Sequence, residues 1–91
     1  MIRSFRDRET EKLFLRIPSR KWRAIERSAR VKLALLHSAR ELTDLSLPGL
    51  HLEKLRGDRK GEYSIRVNDQ FRICFEWRTD GAYRVELVDY H

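Results

Sequence analysis

Glu62-Tyr63-Ser64-Ile65-Arg66-Val67, then Asn68-Asp69-Gln70, then Phe71-Arg72-Ile73-Cys74-Phe75-Glu76-Trp77 is the stretch that decides the fold. Both outer runs alternate apolar and polar side chains with period two, as half-buried strands do. The polar triplet between them reads as a turn. Thr79-Asp80-Gly81 reads as a second turn, and residues 82–88 as a third alternating run. Strands over 62–67, 71–77 and 82–88 with such short connections make an antiparallel meander. Alternation puts Tyr63, Ile65, Val67, Phe71, Ile73, Phe75, Trp77, Tyr83, Val85 and Leu87 on one face. Ser64, Arg66, Arg72, Glu76 and Arg84 fall on the other, which is expected to stay open for a ligand.

Upstream, the period changes. Ile2 to Phe5 reads as a short opening strand. Asp7 is a helix N-cap, with Glu9 and Glu11 near the positive end of the helix dipole. Leu13, Phe14 and Ile17 give this first helix its apolar face, Pro18 stops it, and Ser19 is the next N-cap. A second helix is expected over about 20–42, because Trp22, Ile25, Ala29, Leu33 and Leu36 recur at three- and four-residue steps. Residues 43–51, with Pro48-Gly49, read as an ordered loop. Helices first and strands afterwards make an α+β domain, its two helices on one face of the sheet. The 91 residues leave room for one core only.

Composition narrows the partners. The chain carries 20 Lys and Arg against 14 Asp and Glu, a net charge of +6. Residues 1–42 hold 12 basic and 5 acidic side chains; residues 43–91 hold 8 and 9. The excess lies on the helices, including Lys21, Arg23, Arg27, Arg30, Lys32 and Arg40. Such a balance points to an acidic partner, nucleic acid or protein. Helical cations of this kind suit docking to ribosomal RNA, and also suit an ordinary solvated face.

The single cysteine, Cys74, excludes an internal disulfide and reads as a small packed residue. His37, His51 and His91 are far apart, with no metal-ligand spacing, so no metal or other cofactor is expected. His37 reads as structural or solvated. No apolar leader or membrane-length run is visible, so the expectation is a cytoplasmic protein without membrane contact.

The segments Leu52-Glu53-Lys54-Leu55-Arg56-Gly57-Asp58-Arg59-Lys60-Gly61, Tyr63-Ser64-Ile65-Arg66-Val67, Phe71-Arg72-Ile73-Cys74-Phe75 and Asp89-Tyr90-His91 together resemble the HigB (host inhibition of growth, or plasmid-maintenance killer) toxins. These belong to the RelE/ParE superfamily of type II toxin–antitoxin systems. The resemblance runs over essentially the whole chain. It implies a RelE-like microbial-RNase fold and a metal-free mRNA interferase acting on translated mRNA in the ribosomal A site. It also implies a HigA-type antitoxin with a helix-turn-helix domain.

Metal-free RNA cleavage needs a base for the 2′-OH proton, cations on the scissile phosphate, and an acid for the departing 5′-oxygen. By resemblance, His91 is the acid/base candidate, and its own α-carboxylate favours the imidazolium. Asp89 orients His91 or contacts RNA, and Tyr90 stacks on a base or donates to phosphate. Arg72 matches the family's phosphate-binding arginine, and Arg56 lies where the family has a phosphate-contacting cation. Arg59, Arg66 and Asn68 are further RNA-binding candidates; Asp58 organises the Gly57-Asp58-Arg59 turn. Where some family members have histidine this chain has Glu53, with His51 two residues before it. The base is therefore open between Glu53 and others, with His51 reaching in from the loop. Two other readings share this fold: a ParE-like, non-enzymatic gyrase inhibitor, and a decayed RNA- or antitoxin-binding module.

Overall fold

The structure is a computed structural model that describes residues 1–90. Helix α1 spans Arg8–Phe14. Asp7 caps it as expected: its carboxylate accepts from the Thr10 amide at 3.1 Å and from the Thr10 hydroxyl at 2.7 Å. Thr10 is fully buried, and its hydroxyl also accepts from the Leu87 amide at 3.0 Å. The cap thus ties the start of the helix to the last strand.

Helix α1 ends sooner than the apolar stripe suggests. Arg16 takes the left-handed conformation, φ +62°. The Ile17 amide donates to the Lys12 carbonyl at 2.8 Å and the Arg16 amide to Leu13 at 3.2 Å. These paired bonds close the helix and turn the chain before Pro18. Leu13 is buried, whereas Ile17 lies beyond the helix and is exposed.

Helix α2 spans Glu26–Ser38 and is shorter than residues 20–42. A 3-10 turn, Arg23–Ile25, precedes it. Ser19 does not cap it; its buried hydroxyl donates to Glu9 at 2.6 Å instead. At the far end Asp44 accepts from the Arg40 and Glu41 amides at 2.9 and 3.0 Å, which folds Leu42–Leu45 into a separate 3-10 turn. A carboxylate already aimed at those donors outcompetes another helical turn. Ala29, Leu33 and Leu36 form the buried stripe, as periodicity predicts.

The sheet has four antiparallel strands in sequence order: β1 (Glu53–Lys54), β2 (Glu62–Arg66), β3 (Phe71–Arg78) and β4 (Gly81–Asp89). The α+β class with helices on one face holds. The opening residues differ in detail: Ile2 and Phe5 bridge Ala82 and Val85 in parallel, so this segment covers the outer edge of β4. The core joins Leu13, Leu33 and Leu36 to Ile65, Ile73, Phe75, Val85 and Leu87. His37 is structural, accepting the Ile2 amide on Nδ1 at 3.1 Å and packing 5.0 Å from the Phe14 ring.

Two assignments from alternation are corrected. Cys74 pairs with Glu86 but Glu76 pairs with Tyr83, so β4 carries an extra residue opposite Phe75. This bulge, with Arg84 at φ +54°, moves Tyr83 off the helix face, and Ala82 takes the inner position. Ser4 satisfies the two bulge amides, accepting Arg84 on Oγ at 2.9 Å and Val85 on its carbonyl at 3.1 Å. The second correction concerns the polar sheet face, which is not freely open. Ser64, Arg72, Cys74 and Glu62 on it are all buried. Loop residues and charge pairs cover them.

Candidate active site on the second sheet face

Arg72 sits at the centre of this face, on the interior strand β3, only 9% exposed. Its Nε donates to Ser64 Oγ at 2.8 Å. Its Nη2 donates to the His51 carbonyl and, at 3.4 Å, to the Ser64 carbonyl. Three contacts on one edge fix the plane of the guanidinium. The other terminal nitrogen, Nη1, lies 4.0 Å from Glu53 Oε1. Glu53 is well exposed on the edge strand β1, so the pair is weak and solvent-screened. A phosphate can replace that carboxylate, since an arginine fork binds phosphate oxygens as readily.

Tyr90 stands beside this guanidinium and is about half exposed. Its ring centroid lies 5.9 Å from Arg72 Cζ. Burial, foremost, pushes its phenol above the ordinary range, so at neutral pH it is an O–H donor. His51 reaches the site through its carbonyl, at a left-handed φ of +45°, rather than through an imidazole contact with Arg72. Arg72, Ser64, His51, Glu53 and Tyr90 are therefore one cluster built from β1, β2, β3, the preceding loop and the end of β4.

The remaining candidates divide. Arg59 has both terminal nitrogens on carboxylates, Glu62 at 3.1 Å and Glu86 at 2.8 Å. Arg6 closes the square, 3.1 Å from Glu62 and 3.6 Å from Glu86. The bond to Glu86 foremost raises the Arg59 pKa, so this cation is held in the scaffold. Arg66 pairs with Asp69 beside the β2–β3 turn. Asn68 caps that turn, its Oδ1 accepting from Gln70 at 2.9 Å and Phe71 at 2.8 Å. Arg56 is exposed at the edge, in a groove with Lys54, Leu55, Gly57 and Lys60. Asp89 pairs with Phe71, in register with the helix-facing side of β4, and accepts from Gln70 Nε2 at 3.1 Å. His91 lies outside the described residues. Among the described residues no cluster of His, Cys, Asp or Glu could hold a metal, and no helix is long and apolar enough to cross a membrane.

Sequence reasoning assigned no role to Ser64, Arg6 or Glu62, and took Glu86 as a possible cross-strand partner of Arg72, whereas it pairs with Arg59 and Arg6. Ser64 left a signal: a small hydroxyl alternating into the same face as Arg72. The Arg6 contact left none, since it spans 56 residues to Glu62.

Toxin HigB-1 of Vibrio cholerae serotype O1 is 39% identical over 84 residues, covering 91% of this chain and 83% of that protein. Endoribonuclease HigB of Proteus vulgaris is 35% identical over 60 residues, covering 66% of this chain and 65% of that protein. Residues 3–91 match the family model for the RelE-like toxin of the type II toxin–antitoxin system HigB. The chain therefore belongs to the HigB-like family of RelE-like toxins.

Proposed function

We propose that this toxin is an endoribonuclease that cleaves mRNA on the ribosome, in the A site, by metal-free acid/base chemistry. The observation that carries the reading is the buried Arg72 guanidinium, clamped along one edge with Nη1 turned toward an exposed carboxylate. A cation held in place in advance of the substrate supports a phosphate-binding role. The name of the Proteus vulgaris relative, an endoribonuclease, points the same way.

In this mechanism the scissile phosphate displaces Glu53 from Arg72. The freed Glu53 carboxylate takes the 2′-OH proton. The 2′-oxygen bonds to phosphorus, the bond to the 5′-oxygen breaks, and His91 protonates that oxygen. Products are a 2′,3′-cyclic phosphate and a 5′-hydroxyl end. Tyr90 supplies an O–H donor or a stacking surface beside Arg72. Arg56, on the exposed edge, and Arg66 guide the RNA strand, and Asp89 holds the end of β4. The activity resides in one toxin domain, residues 1–91, working in the cytoplasm and neutralised by a HigA-type helix-turn-helix antitoxin.

The test is primer extension on a defined mRNA in a purified translation system, with and without ribosomes. Wild type cuts within codons only when ribosomes are present, and Arg72→Ala and His91→Ala lose the cut. A folded wild type that leaves mRNA intact overturns the proposal, and inhibition of gyrase supercoiling would then assign the fold to a non-enzymatic poison.

A further inference from the structure

The loop over Arg72 departs from regular strand pairing at a single residue. In β1, Glu53 stands opposite Ser64, and the Leu55 amide donates to the Glu62 carbonyl at 2.9 Å. Carried two residues further back along the edge, this register sets His51 opposite Arg66 and makes the His51 carbonyl the acceptor for the Arg66 amide. The Arg66 amide instead donates to the Leu50 carbonyl at 2.6 Å. The edge therefore carries one extra residue there, and His51, at φ +45°, is that residue. This is the arrangement of a β-bulge whose left-handed position glycine commonly fills.

The bulge releases a carbonyl that the ladder would have used, and that carbonyl accepts from Arg72 Nη2. Leu50 and His51 thus present consecutive carbonyls to the sheet, one to the Arg66 backbone and one to the Arg72 side chain. An extended residue at 51 could not do this, because hydrogen-bonding groups alternate in direction along a strand. Leu50 is buried and anchors the loop, whereas the His51 side chain is exposed.

We infer that His51 is a positioning residue that acts through its backbone. Its left-handed conformation aims a main-chain carbonyl at Arg72 and sets the guanidinium plane for the scissile phosphate; the imidazole has no part in this. The catalytic half of the inference rests on the nuclease reading, and the clamp on Arg72 does not.

The test compares His51→Gly with His51→Val. Both lack the imidazole, so a difference between them comes from the backbone. Glycine suits a positive φ and a β-branched residue resists it. In single-turnover cleavage on programmed ribosomes, His51→Val loses about tenfold or more in kcat with KM little changed, and His51→Gly restores most of the rate. Nitrogen-15 NMR of Arg72 is read on the same full-length proteins. A held guanidinium gives separate Nη–H signals, expected in wild type and His51→Gly and merged in His51→Val. Should His51→Val fail to fold, His51→Ala, milder at the same φ, takes its place in the comparison with His51→Gly. A His51→Gly variant that cleaves as poorly as His51→Val overturns the inference and gives the role to the imidazole. So does a folded His51→Val that keeps both the separate signals and the rate. A wild type that cuts no RNA, while its Arg72 signals still follow residue 51, removes the nuclease reading and leaves the clamp.

Discussion

Ser64 Oγ accepts from Arg72 Nε at 2.8 Å along a diagonal of the β2–β3 pair, since Ser64 stands directly opposite Cys74. Both partners are buried. The bond is therefore a positioning contact for the guanidinium as well as a stability term.

Ser64→Ala leaves a buried Nε–H without its partner, at a cost of about 1–3 kcal/mol. Cleavage is expected to fall mainly in kcat, by about tenfold, because the fork loses its aim more than its charge. Ser64→Thr, which keeps the hydroxyl, restores most of the rate. Single-turnover cleavage beside a urea melt checks both parts; an Ala variant with normal kcat shows that Ser64 acts on stability alone.

The square of Arg6, Arg59, Glu62 and Glu86 links the N-terminal segment, the Gly57–Arg59 turn, β2 and β4. Its side chains are mostly shielded from solvent. Glu62→Gln keeps the shape but leaves two arginines with half their countercharge, and is expected to cost about 1–3 kcal/mol. A double-mutant cycle of Glu62→Gln with Arg59→Met measures the coupling. A coupling energy near zero makes the square ordinary surface charge.

Gly81→Ala is expected to be among the most damaging single-methyl changes. Gly81 has φ +138°, and an added Cβ would lie 2.1 Å from the Met1 carbonyl oxygen. That oxygen accepts from the Ala82 amide at 2.9 Å, so the methyl pushes the opening segment off the edge of β4. A loss of about 2–3 kcal/mol is expected. Thermal melts check the size. Faster hydrogen exchange confined to the Ala82 and Arg3 amides would locate the damage.

Burial, foremost, pushes the Cys74 thiol above its ordinary range. The native thiol stays protonated at neutral pH and unreactive toward a thiol-disulfide probe. The sign follows: a raised folded pKa favours the protonated native form below the thiol's unfolded range, and that contribution is lost as pH rises through the folded pKa. Native protein is expected to react only slowly at pH 7, and at the rate of a model thiol in denaturant. Rapid reaction of the native protein contradicts the packing.

Local patterns carried most of the architecture. Alternation over 62–88 specified three strands and, except around the bulge at Arg84, their inner face, and Asp7 marked the start of α1, because period-two burial and N-capping depend only on near neighbours. The family motifs brought Arg72, Tyr90 and Glu53 forward together. What needed the folded chain were contacts between residues far apart in sequence. The bulge at Arg84 depends on Ser4 satisfying its amides, 80 residues away. Arg59 reads as a free cation until Glu62 and Glu86 are brought to it. Ser64 reads as a polar surface residue until β2 lies beside β3 and the loop carrying His51 closes over Arg72. Sequence determines which side chains share a face; tertiary packing decides which of their charges are already neutralised, and so which remain for a substrate.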